Sequence, residues 1–341
     1  MSQAPAAQDT SSALPPAWSL EVRHETRYRY ASPVSLAQHQ AHLRPMADSH
    51  QGLEAFALEV EPPAAHRADS VDAMGNAQTH FSLVQQHESL RVCATSRVRV
   101  RARFEGLRPE EGPAWEPLAA GLRYVAGAGY EPAVEFVLPS PYVPRLSALR
   151  AYALPSFPAG IAVAAGALHL MRRLHADFVY QSASTAVDTP LAQVLEQRRG
   201  VCQDFAHLLI GSLRMLGLPA RYVSGYLLTH APTVAGAGAG AGDGAAAMLG
   251  ADASHAWVQV WCPGTPGVPA EGAGAGWLSL DPTNDLVPGN GHVRVAIGRD
   301  FGDVTPLRGV IRGGGRHELA VGVSTRVVHD AAPTQLARPL H

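Results

Sequence analysis

The feature that most constrains this chain is a period of two in its first hundred residues. From Trp18, "WSLEVRHETRYRY" places Leu20, Val22, His24, Thr26, Tyr28 and Tyr30 on one face of an extended segment. "EAFALEVEP", "AQTHFSLV" and "SLRVCATSRVRVR" alternate too or are rich in strand formers, with turn signals such as Met74-Gly75-Asn76 between them. Four or five strands in succession, with no helical pattern between them, predict an antiparallel β domain running to about Arg103.

The pattern then changes. Residues 104–145 are rich in Pro and Gly and read as a connector with short helical pieces. "AAGALHLMRRLHADF" (164–178) has helical spacing. "TPLAQVLEQRRG" predicts a second helix, with Thr189 as N-cap, Pro190 in the first helical position and Gly200 closing it. A third helix begins at Cys202. Its Phe205, Leu208, Leu209, Ser212/Leu213 and Leu216 follow helical spacing, which predicts one fully buried face. Gly217 ends it and Pro219 prevents a restart. "ARYVSGYLL", "HAWVQVW" and "GWLSLDP" read as strands, and "ELAVGVSTRVV" adds one near the C-terminus. The Gly-Ala repeat at 231–251 has glycines spaced like a dinucleotide fingerprint, but it opens no amphipathic helix and reads as a flexible loop. Residues 1–17 read as a disordered tail.

Composition removes several classes of function. The net charge of −2 gives no basic excess for nucleic acid or an anionic membrane. Every Lys/Arg position is Arg, which excludes a P-loop lysine, Schiff-base chemistry and pyridoxal phosphate attachment. Sixteen histidines invite a metal reading. However, "HETRY" and "HELAV" put Tyr28 and Val321 where the zinc helix motif needs its second His, and no Cys pair has zinc spacing. No metal and no cofactor are expected. A polar N-terminus without an apolar signal core, the lack of a long apolar run and only three cysteines lead to the expectation of a cytoplasmic protein without a membrane span.

Cys202 stands where a polar turn becomes an apolar helix. A thiol attacks as its thiolate, and the first turn of a helix offers free N–H groups and the positive end of the dipole, which favour the anion. The same N–H groups can hold a developing oxyanion. Gly200 is read as giving room for close approach. A thiolate also needs a base held in the right tautomer. His255 opens "HAWVQVW" and Asp281 closes "WLSLD", so an antiparallel pairing makes them cross-strand neighbours. His255 then shares a face with Trp257 and Gln259, and Asp281 with Ser279 and Trp277.

"RRGVCQDFAHLLIGSLRMLGLPARYVSGY", "SHAWVQVW" and "GWLSLDPTND", in that order, resemble the transglutaminase-like superfamily. "HETRYRYASPVSLAQHQAHLRP" and "GRDFGDVTPLRGV" resemble its bacterial two-part members, in which a β-rich domain precedes the core. The resemblance implies an α+β fold: an N-terminal antiparallel β domain, then a papain-like core with the catalytic helix packed on an antiparallel sheet. It assigns Cys202 as nucleophile, His255 as base and Asp281 as the group that orients His255. The expected partition is a tail (1–17), a β domain (18–140), a core carrying the insert (141–300) and a C-terminal strand and tail (301–341). The expected substrate is an amide-containing peptide or protein, processed through a thioester. Hydrolysis is favoured; protein cross-linking and a non-catalytic assembly module are the alternatives. Cys93 and Cys262 read as buried hydrophobes. Asp281 has a second reading as a turn residue before Pro282. Asp204 is read as structural, His169 and His207 as surface or packing residues without partners, and Trp257 as a wall of the cleft.

Overall fold

The structure, a computed structural model, describes residues 17–328 except 128, 183, 229–253 and 273. The Gly-Ala segment 231–251 and residues 1–16 of the expected tail lie outside the described residues. The first five strands are β1 (Trp18–Ala41), β2 (Gln51–Glu61), β3 (His66–Val71), β4 (Ala77–Leu83) and β5 (His87–Val100). They form an antiparallel sheet in the order β2-β5-β1-β4-β3. The period-two reading identifies the inward face: Leu20, Val22, His24 and Thr26 are all buried. β1 is long enough to serve two sets of neighbours, and its register shifts between Arg29 and Val34.

Next come α1 (Trp115–Gly121), α2 (Ser147–Ala153), α3 (Val163–Asp177), β6 (Val179–Tyr180), α4 (Leu191–Gln197), β7 (Arg199–Gly200) and α5 (Cys202–Met215). The caps of α4 differ from the sequence reading. Pro190 is the N-cap, Thr189 instead accepts a bond from the backbone of Ala186, and the helix stops at Gln197. Arg198 turns the chain at φ 55°, and Gly200 belongs to β7, paired with Tyr180. The expected single buried face of α5 is also exceeded, because every residue from Gln203 to Arg214 is buried. A helix apolar on most of its circumference needs cover on most sides, and α2, α3, α4 and the second sheet supply it. Gly211 allows α2 to approach, since a Cβ there would lie 2.6 Å from Leu149 Cδ1. As read, α5 ends at a glycine with positive φ, Gly217.

The second sheet comprises β8 (Ala220–Leu227), β9 (His255–Trp261), β10 (Trp277–Leu280) and β11 (His292–Gly298), in the order β10-β9-β8-β11 and antiparallel throughout. One face, with Ala256, Val258, Val260, Leu278 and Leu280, joins the main core with α5. The other face looks toward the first sheet. There Trp257 packs with Val223 and Ile297 against Met46 and Met74. Trp257 is fully buried between the layers, not a wall of an open cleft. His24 on β1 meets Tyr226 on β8 at 3.0 Å, and Leu20, Val22, Val98 and Val100 share one core with the helices.

After α6 (Phe301–Val304) come β12 (Leu307–Gly313) and β13 (His317–Val327). Both pair with β1: β12 along Val34–Ala41 and β13 along Leu20–Tyr30. The last strands therefore return to the first and complete its sheet. The fold is α+β, as expected: an antiparallel β sheet followed by a core with a helix on a second antiparallel sheet.

Candidate active site

Cys202 is the first residue of α5 and is partly exposed, whereas Cys93 and Cys262 are buried. The turn before it is held by Asp204, whose Oδ2 accepts from Val201 N (2.8 Å) and Thr185 Oγ1 (2.6 Å). This is the backward half of a capping box. Gly200 serves this carboxylate: a Cβ there would sit 2.6 Å from Asp204 Oδ2. The room that Gly200 gives for close approach is thus taken by the cap carboxylate of Asp204. Asp204 is structural, as read. Gln203 donates its amide to Val187 O (3.0 Å), so its side chain is already committed. The backbone N–H groups of Cys202 and Gln203, in the first turn, lie outside the intrahelical ladder.

His255 and Asp281 come together. In the β9–β10 register Leu280 faces Val258, so Asp281 follows opposite Trp257, and His255 lies one diagonal step away on the same face. Asp281 Oδ2 stands 2.9 Å from His255 Nε2, both side chains fully buried. The same face also pairs Gln259 with Ser279 at 3.1 Å, as the shared-face reading implies. His255 Nδ1 has no hydrogen-bond partner, and the Cys202 side chain is close enough to act on the ring. Burial alone would lower the His255 pKa. The charge and hydrogen bond of Asp281 outweigh it, Cys202 adds to them, and the ring is pushed up to about 10. The same pairing, against burial, holds the Asp281 carboxyl far below its ordinary value. The pair thus favours an imidazolium beside the Asp281 carboxylate.

Asp281 carries more than one duty. Its Oδ1 accepts from Thr283 N (3.0 Å) and Asn284 N (3.3 Å), which makes the turn at Pro282. Its Oδ2 also takes Asn284 Nδ2 (2.8 Å) and His292 Nε2 (3.3 Å). The turn reading and the orienting geometry coexist, one oxygen for each. His292 was not singled out in the sequence, although "HVRVAIG" alternates and could have been read as a strand opening on a histidine. Burial keeps His292 below its ordinary pKa despite Asp281, and the neighbouring His255 adds to the lowering. One carboxylate thus faces a cationic and a neutral imidazole. Trp257 lies beneath both rings, near-parallel to His255 at 6.2 Å and edge-on to His292 at 5.4 Å.

His169 is exposed, as read. His207 is not the partnerless residue the sequence suggested. It is buried between Tyr142 and Tyr222, and its Nε2 accepts from Phe301 N (3.2 Å). Burial lowers its pKa to about 3, so it remains a neutral tie between α5 and α6. Among the described residues no helix is long and apolar enough to cross a membrane.

Comparison with known proteins agrees with this architecture. Residues 20–99 match the bacterial transglutaminase-like N-terminal region, and residues 160–282 match the transglutaminase-like superfamily core. Cys202, His255 and Asp281 all fall within the second span. The uncharacterized protein Rv2569c of Mycobacterium tuberculosis is 38% identical over 290 residues, covering 85% of this chain and 86% of its own. The uncharacterized protein ML0607 of Mycobacterium leprae is 31% identical over 310 residues, covering 90% and 98%. A solved structure from Cytophaga hutchinsonii, described as a "putative cysteine protease", superposes with a TM-score of 0.66 at 20% identity over 93% of each chain. The chain belongs to the transglutaminase-like superfamily.

Proposed function

We propose that this protein is a cysteine enzyme that cleaves amide or peptide bonds in a peptide or protein substrate. The carrying observation is the His255–Asp281 contact of 2.9 Å, which leaves Nδ1 of the ring uncommitted to any other described residue, with the Cys202 side chain close enough to act on that ring. Cys202 passes its thiol proton to His255 and attacks the carbonyl carbon as its thiolate. His255, held as a cation by Asp281, gives its proton to the leaving amine. The first-turn N–H groups of α5 receive the developing oxyanion in this reading. The resulting thioester is opened by water, with His255 taking the proton from that water. His292 is a positioning residue: it fixes the Asp281 oxygen that faces His255.

Acyl transfer to a second amine shares the first half of this sequence and remains the alternative. A glutamine peptide incubated with excess primary amine, read by intact mass, distinguishes them. Hydrolysis predicts the free acid or a cleaved peptide, and dominant amine adduct would reverse the preference. A substrate-trapped acyl-enzyme on Cys202 supports the thioester. Its absence, with full turnover retained in Cys202→Ala, would remove the whole reading.

A further inference from the structure

The interface between the two sheets concentrates positive charge. Arg294, on β11, pairs with Asp48 across it, and Arg103, just past β5, pairs with the same carboxylate. Asp48 can offer no more, because its other oxygen accepts from His50 N (2.8 Å) and Gln51 N (3.1 Å). Arg101, just past the end of β5, donates its backbone N–H to His50 O (2.8 Å), but its side chain shows no ion pair or hydrogen bond among the described residues, and its Nε is fully buried without a partner there. Among the described residues Arg221, deeper in the same layer, bonds to the neutral Gln259 at 2.8 Å and stacks on Trp277 at 4.0 Å. Burial and repulsion from Arg294 and Arg103 lower its pKa to about 9, a sign that the layer is over-supplied with cations.

A cavity of about 30 Å3 lies among these groups, lined by Arg101, Arg103 and Arg294 from two layers, and by Trp257, Ser279 and His292 from the second sheet. That exceeds the roughly 10–15 Å3 one water needs. Trp257 is fully buried and its indole N–H also lacks a partner. Two cavity-lining side chains thus each keep a buried donor with nothing to receive it, which is costly unless an acceptor is present. Three guanidiniums line the cavity, and Asp48 is the saturated carboxylate seen beside them among the described residues. An uncharged occupant would satisfy the donors but leave the charge uncompensated.

We propose that this cavity is a binding site for a small oxyanion, a carboxylate or a tetrahedral inorganic anion, held by Arg101 with Arg103, Arg294 and the Trp257 N–H. It sits one residue layer behind the proposed active site, since Trp257 and His292 border the cavity and also contact the His255–Asp281 pair.

The test is calorimetric titration and thermal unfolding of the full chain with acetate, sulfate and phosphate, at fixed ionic strength against chloride. At least one anion should bind saturably at millimolar concentration or below and raise Tm. Arg101→Gln should weaken that affinity about tenfold or more, and Arg101→Lys should fall between, because it keeps the charge but loses the fork. The Arg101 side chain is partly exposed and shows no partner among the described residues, and its backbone bond to His50 does not depend on the side chain, so both variants should fold. Generic stabilisation by sulfate does not saturate and should persist in Arg101→Gln. Saturable binding of acetate alone would mark a carboxylate site, and of sulfate or phosphate alone a tetrahedral one. No saturable response to any anion, or identical titrations in wild type and both variants, would overturn the proposal and leave the cavity to water.

Discussion

Asp281 takes bonds on both oxygens, and the division between them sets what each neighbour contributes. Losing the negative charge should matter more than losing one donor. Asp281→Asn should therefore lower kcat about 10²–10⁴-fold, and an unimpaired enzyme would leave Asp281 only its turn. His292→Leu removes an N–H from Oδ2 and should lower kcat about tenfold with little change in KM. His292→Gln, which can restore a donor, should recover most of that loss; equal kcat in both variants would show that His292 only fills space. Cys202 is the partly exposed thiol beside a cationic imidazole, while Cys93 and Cys262 are buried. One equivalent of iodoacetamide at neutral pH should label Cys202 first. Peptide mapping that finds Cys93 or Cys262 labelled first would count against the mechanism.

At the scale of elements, β8 must let two neighbours come close. A Cβ on Gly225 would lie 2.1 Å from Val293 O and 2.4 Å from the Trp257 ring. Backbone on β11 cannot retreat without breaking the sheet. Gly225→Ala should cost about 3 kcal/mol in denaturant titration, and it should impair activity because Trp257 carries His255 and His292. The helix bearing Cys202 and the strands bearing His255 and Asp281 were legible because period and punctuation are local properties: an apolar helix closed by Gly217, and alternation opening on a histidine. The diagonal register was not, since it depends on how the loop between β9 and β10 closes. Nor was the role of Gly200, which answers to a carboxylate four residues on. His292 escaped because its partner lies across a turn and a sheet edge, and no pattern in "HVRVAIG" points to Asp281. The full burial of α5 also escaped, because amphipathic spacing reports one face and says nothing of what covers the others.

For the whole molecule, buried histidines set the pH dependence of stability. His24 and His207 are held by burial to about 4 and about 3, so the unfolded chain takes up their protons first. Their contribution is lost as pH falls below the unfolded value near 6.5, by up to about 3 kcal/mol for His24 once pH nears 4. His255 works in the opposite direction. Its pKa is raised to about 10, so its stabilisation is complete below about 6.5 and is lost as pH climbs toward 10. Denaturant midpoints should peak near neutrality, His24→Gln should flatten the acid limb and His255→Ala the alkaline one. An alkaline limb unchanged in His255→Ala would contradict the raised pKa.

The same scale carries a prediction about β12 and β13. Both pair with β1, so removing residues 307–341 strips one whole edge of that strand, and the remainder should show no cooperative unfolding by calorimetry. Val328 N also bonds to Ser19 O at 2.8 Å, so the described chain closes almost on itself. A ribosome releases β1 long before β12 and β13, its last two partners. Until they emerge the first sheet must stand with a long backbone edge open, a template on which a second nascent chain from the same message could dock. The order of synthesis and the order of assembly are therefore opposed in this molecule, and its yield in a cell should respond to whatever shields that edge until β13 has emerged.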